Sequence, residues 1–198
     1  MDFGAVLEAR RTTFLPQATA AMEAAADFDA LFRALANASV PTLGDWCAID
    51  VPAGMRGRAR RVAAAHVDPT LAELPVELQE RYPADPNGPA GFPHVLRTGE
   101  VEYWPEVPES MLRGAARDED HLKMMQRLGF TSYICVPVAV DGRVLAAVTF
   151  VSSRPERRFG PPDLSTAEEL ARRAAVALEA LTNAAENGKP PPRATQTS

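Results

Sequence analysis

"YICVPVAVDGRVLAAVTFVSS", residues 133–153, is the longest apolar stretch of the chain, broken only by Asp141, Gly142 and Arg143. Asp-Gly between two alternating apolar runs signals a two-residue hairpin, because a type I′ turn needs positive φ at both central positions. Both faces of each predicted strand are apolar. Tyr133, Cys135 and Pro137 oppose Ile134, Val136 and Val138, while Val144, Ala146, Val148 and Phe150 oppose Leu145, Ala147 and Val151. Such strands belong in the middle of a sheet covered on both sides.

Working outward, "DWCAIDVP" at 45–52 reads as a strand ended by Pro52, with "RARRVAAAHV" at 58–67 as its partner across a turn holding Gly54 and Gly57. Helices are expected at 4–25, where Pro16 should kink or restart the helix, and at 27–39. In the second, Phe28, Leu31, Phe32, Leu35 and Ala36 share a face and Asp27 caps the first turn. A short helix at 69–82 precedes a proline-rich segment with no regular structure up to about Gly91, long enough to be a lid or ligand wall. After a helical turn capped by Gly99, "VEYWPEV" at 101–107 reads as a short strand that Pro105 confines to an edge. One or two helices follow over 109–128, with Asp118, Glu119 and Asp120 at the positive end of a helix dipole and Gly129 as the stop. The last helix, about 161–186, repeats Leu164, Ala171 and Leu178, and Ala167, Ala174 and Leu181, at a spacing of seven. This suits a coiled coil or a close-packing face on the sheet. Residues 187–198 read as a disordered tail.

The chain of 198 residues, with 46% apolar and 24% charged residues, is sized for one core. Its net charge of −5 disfavours nucleic acid and anionic membrane. Arg56, Arg58, Arg60 and Arg61, with no aromatic between them, read as a solvated face. Two distant cysteines form no disulfide framework, and no signal peptide or membrane span is apparent, so a cytoplasmic protein is expected.

No phosphate-binding loop, nucleophile elbow or zinc-protease motif is present. Asp45 and Asp50 are five apart on one strand and so face opposite ways. The candidate ligand-pocket residues are His66, His94, Tyr103, Trp104, Tyr133 and Cys135. His94 stands out because it sits on the predicted lid, where it could meet haem iron or a ligand carboxylate. His66, in an alanine strand, reads as a hydrogen-bonded core residue ahead of a ligand contact. The aromatics offer ring faces with polar tips, suited to a pocket or to core. No metal site is expected, and the cofactor is left unknown.

The order helix, hairpin, long loop, short strand, helices, apolar hairpin and terminal helix resembles a GAF domain. The likeness rests on "SVPTLGDWCAIDV" (39–51), "VAAAHVDP" (62–69), "ERYPADPNGPAGFPHVLRTGEVEYWPEV" (80–107), "RLGFTSYICVPVAVDGRVLAAVTFVSS" (127–153) and "RRFGPPDLSTAEELARRAAVALEAL" (157–181). It is closest in kind to bacterial sensory GAF domains found with PAS domains, histidine kinases and phosphatases. The resemblance implies an α+β fold: a six-stranded antiparallel sheet with helices on both faces, the first and last on one of them, and a cavity under the long loops on the other. It implies an N-terminal helical extension at 1–25 and a GAF domain at 26–186, with Cys47 and Cys135 on neighbouring strands. The expected function is a non-enzymatic sensory module that binds a small molecule and relays it through terminal helices, with a homodimer and a signalling output as partners. A ligand-free scaffold for association is the alternative. A free methionine-R-sulfoxide reductase is disfavoured because the loop "GPAGFPHVLRTGE" holds no cysteine. A bilin site is disfavoured because no histidine follows a cysteine.

Overall fold

The computed structural model describes residues 3–53 and 58–186. The expected turn at Gly54 and Gly57, Arg56 of the arginine run and the expected tail at 187–198 lie outside them. The elements are α1 (Phe3–Glu23), α2 (Phe28–Ser39), β1 (Trp46–Ala53), β2 (Arg58–His66), a 3₁₀ turn (Pro69–Leu71), α3 (Leu74–Arg81), α4 (Phe92–Thr98), β3 (Glu102–Trp104), α5 (Glu109–Ala115), α6 (Glu119–Leu128), β4 (Ser132–Val140), β5 (Arg143–Ser152) and α7 (Pro161–Glu186).

β4 and β5 pair antiparallel from Ser132↔Ser152 to Val140↔Arg143, turning at Asp141 (φ 50°) and Gly142 (φ 75°) as the Asp-Gly pair requires. The sheet runs β2-β1-β5-β4-β3, so the apolar hairpin lies inside it. Among the described residues the sheet has five strands, not the expected six. The prolines at 83, 86, 89 and 93 leave no run of backbone donors in the long loop, and β3 stops before Pro105. Pro52 does not end β1, which runs on to Ala53; the β1–β5 ladder ends at Asp50↔Ala147, so no donor is needed from Pro52 on that side.

α1, α2 and α7 cover one face of the sheet. Phe14, Ala18 and Met22 of α1, and Leu31, Phe32 and Leu35 of α2, share a core with Ile49, Ile134, Val136, Val148 and Phe150. That packing carries α1 through Pro16 as one helix. Asp27 caps α2 as expected, its carboxylate accepting from the Ala30 amide at 2.7 Å; Phe28 is exposed rather than in the core. α7 buries Ala167, Leu170, Ala171, Ala174, Ala175, Ala177 and Leu178 in this core, so its repeat of seven serves sheet packing. α3, α4 and α6 cover the opposite face. The region 69–82 divides into a 3₁₀ turn and α3, with Pro75 in the first turn of the latter.

Candidate functional site

The face away from α1, α2 and α7 carries the polar groups. Alternation along the strands and the observed register place Glu102, Cys135, Thr149 and Ala48 in one row across it. Trp104, Tyr133, Val151, Trp46 and His66 form the next row. Leu74, Met124 and Leu128, from α3 and α6, pack over Trp46 and Val151. α4 lies over the other end, with Val95 completely buried against Cys135 and Ala147.

Glu102 is the hub of this face. Its carboxylate accepts the Gly91 amide at 2.9 and 2.8 Å and the Tyr133 hydroxyl at 3.3 Å, and Oε1 lies 3.2 Å from His94 Nδ1. The His94 contact is close enough for an ion pair when the ring is protonated but lacks hydrogen-bond alignment, which leaves Nδ1 buried without such a partner. Gly91 adopts φ 82°, open to glycine, and this brings the start of α4 onto Glu102. Burial raises the Tyr133 phenol well above its ordinary value, and the charge on Glu102 adds to this.

A second polar centre is the pair Asp50–Arg61. Nε and one terminal nitrogen of Arg61 donate to the two carboxylate oxygens at 3.1 and 2.9 Å, and the other donates to the Pro75 carbonyl at 2.7 Å. The guanidinium also lies over the Phe92 ring, 5.5 Å from its centroid. A bulge between Ile49 and Asp50 sets Asp50 opposite Arg61, so the arginine turns inward. Arg60 is exposed, as a solvated run predicts, but Arg61 corrects that reading: its side chain is 7% exposed and joins β2, α3 and α4. Burial pushes the Asp50 carboxyl above its ordinary range despite Arg61.

Of the six candidates, His94, Tyr133 and Cys135 come together around Glu102. Trp104 is on the same face but exposed, and His66 lies at the far end of β2, its Nδ1 accepting the Asp68 amide at 2.9 Å. Tyr103 does not join them. As the residue between Glu102 and Trp104 it points to the helical layer, where its hydroxyl donates to the Phe159 carbonyl at 2.7 Å. Cys47 and Cys135 are not on neighbouring strands: β5 separates them, and Cys47 faces the helical core while Cys135 faces α4. Burial pushes both thiols up to about 12. Glu102 is not singled out in the sequence, although it follows from placing "EYW" in one strand; there Asp50 is set apart only from Asp45 and Arg61 reads as a solvated residue, with nothing pairing the two.

Beneath α4 the space is filled by Val95. An open cleft of about 550 Å³ lies beside it, between Arg61 of β2, Val76 and Gln79 of α3, Pro83 and Pro86 of the loop, and Arg117. None of the six candidates lines this cleft. Arg97 donates to the Pro86 and Gly88 carbonyls at 2.8 and 3.1 Å, fastening the loop to α4. No group of histidine, cysteine or carboxylate side chains suited to a metal occurs among the described residues.

An antiparallel sheet with the terminal helices on one face and a polar face under α3, α4 and α6 on the other is an α+β architecture of small single-sheet domains. Residues 27–178 match the family model of the GAF domain, and the chain belongs to that family. Among solved structures, it is similar to the GAF domain of a phosphoenolpyruvate-protein phosphotransferase from Coxiella burnetii, with a TM-score of 0.62 and 14% identity over 91% of this chain and 97% of that one. It is also similar to the GAF-B domain of DevS from Mycobacterium smegmatis (TM-score 0.55, 16% identity, 79% and 96% covered). A third similar structure is the free methionine-R-sulfoxide reductase from Neisseria meningitidis in complex with its substrate (0.61, 16%, 89% and 92%). No curated protein matches the chain significantly. No helix among the described residues is long and apolar enough to cross a membrane.

Proposed function

We propose that this chain is a non-enzymatic regulatory module. In this reading α4 and the loop before it form a lid, a small molecule binds against the sheet face that they cover, and the change passes to a signalling partner through α7. The observation that carries the reading is the Glu102 cluster. A sheet face that serves only as core has no need of a carboxylate, a phenol, a thiol and an imidazole gathered beneath seven residues of helix. His94, Tyr133 and Cys135 are the proposed pocket residues, with Trp104 at the margin. The GAF unit is assigned to 26–186, with 1–25 as a helical extension. The homodimer expected through the terminal helices, and a cytoplasmic site of action, belong to the same proposal. The thiols support the non-enzymatic reading, since groups pushed up to about 12 furnish little thiolate for attack on a sulfoxide.

One observation favours a ligand-free scaffold: Val95 already fills the sheet face. A thermal-shift and native mass spectrometry screen of cyclic nucleotides, haem, flavins and aromatic acids separates the readings. A ligand that binds only the folded chain raises its melting temperature, and Tyr133→Phe with His94→Ala should erase the rise. A rise that those variants leave intact refutes the assigned pocket, and no rise with any compound favours the scaffold.

A further inference from the structure

β3 consists of three residues and, among the described residues, has one hydrogen-bonded neighbour, β4. Gly99 at φ 73° precedes it and Pro105 follows it, so the strand is bounded by backbone breaks on both sides. Its alternation sends adjacent side chains to opposite layers. Glu102 grips the lid, taking the Gly91 amide on both oxygens and approaching His94. Tyr103 grips the opposite layer, donating to the Phe159 carbonyl at 2.7 Å.

Phe159 is held a second time. Its amide donates at 3.0 Å to Ser132 Oγ, and that hydroxyl donates to the Trp104 carbonyl at 3.2 Å. Both backbone groups of Phe159 are thus fixed by β3 and the first residue of β4. Phe159 is 2% exposed, and α7 begins two residues later, its first turn closed by the Gly160 amide on the Asp163 carboxylate at 2.8 Å. A carboxylate that holds the lid and a phenol that holds the root of α7 are therefore consecutive residues of one short edge strand.

We propose that β3 couples the lid to α7: when α4 leaves Glu102, the strand shifts along β4, and Tyr103 carries the shift to Phe159 and the first turn of α7. This deepens the regulatory reading by naming its internal link, and it rests on α4 being the lid. Coupling of this kind is reciprocal, so loosening Tyr103 also loosens the lid.

Amide hydrogen exchange on the full chain tests the link without any ligand. Glu102→Gln weakens the hold on Gly91, and the exchange of the Gly91 amide should rise roughly tenfold, as expected for a lost charge-assisted bond. In the same variant the amides of Phe159, Asp163 and Leu164 should rise several-fold, while those of Val136 and Val148 in mid-sheet stay unchanged. In Tyr103→Phe those α7 amides already exchange faster, and adding Glu102→Gln should change them no further. His94→Asn, which leaves Glu102 in place, supplies a second disturbance of the lid should Glu102→Gln fold poorly. The coupling is overturned if Glu102→Gln or His94→Asn frees the lid while the α7 amides stay as they were, or if the two substitutions act additively at α7. Because no ligand is used, a failed ligand screen with an intact cycle sinks only the sensing reading. A ligand found with an additive cycle sinks only the link.

Discussion

Replacing Arg61 with alanine should expose the cost of a stranded charge. The Asp50 side chain is fully buried and that of Arg61 is 7% exposed, and the two meet through a two-point contact. Removing one partner of such a pair costs about 3–5 kcal/mol, chiefly because the other charge remains buried alone. The bond to the Pro75 carbonyl contributes about 1 kcal/mol more. Taken together, a loss of about 5 kcal/mol is expected at pH 7. For a chain of this size that lowers the melting temperature by roughly 10–20 °C. The pH dependence follows from the same charge. Burial already raises the Asp50 carboxyl, and without Arg61 it rises further. The folded variant then holds a proton where the unfolded chain has lost it, so its stability improves as pH falls and is lost as pH rises. The deficit relative to the parent chain should therefore be full at neutral pH and shrink on acidification. Urea unfolding at pH 7 and pH 5 measures this, with Asp50→Leu combined with Arg61→Met as the control that removes both charges and should cost less than Arg61→Ala. A deficit below about 1 kcal/mol at pH 7, or one that does not shrink at pH 5, would refute the assignment of a desolvated pair.

Two further outcomes concern the turn and the surface. Gly142→Ala should cost about 1 kcal/mol through backbone strain alone, since φ is 75° and no atom lies within 4 Å of an added Cβ, and a shift of the urea midpoint with unchanged slope would show it. His121 is held below its ordinary value by burial and then by Arg117, so it disfavours the proton that the unfolded chain accepts; its contribution is complete above about pH 6.5 and is lost as pH falls below that, and His121→Gln should flatten the decline in melting temperature between pH 7 and 5.5.

The parts of the fold that were legible rest on local chemistry. Asp141-Gly142, Asp27, Gly99 and Gly129 mark turns and helix ends through backbone preferences that need no tertiary information. The two apolar faces of β4 and β5 state that layers lie on both sides. The polar face was harder. Tyr103 and Trp104 are successive residues of one strand and cannot both face the α4 side of the sheet, a conflict that period-two alternation exposes once "EYW" is taken as a strand. The bulge that brings Arg61 opposite Asp50 leaves no mark in "RARRVAAAH", and without it the arginines read as one solvated run. Which strand neighbours which is set by long-range pairing, so the insertion of β5 between the two cysteines lay beyond local pattern.

The division of the core bears on how such a module could move without unfolding. The cluster beneath α1, α2 and α7 shares no buried residue with the small group of Val95, Cys135 and Ala147 under α4. Lifting α4 exposes Val95, at about 2 kcal/mol, and releases the Gly91 amide from a carboxylate, at about 2 kcal/mol, and it also uncovers Pro93 and parts Phe92 from Arg61. An open state reached in this way stands at least about 4 kcal/mol above the closed one, a population of about one in a thousand at most, with the main core intact. A ligand holds the lid open only if it prefers the open state by more than that amount. Groups that replace the Gly91 N–H on Glu102 and the Val95 side chain against Ala147 are the direct way to supply it, since they make good the contacts that opening breaks.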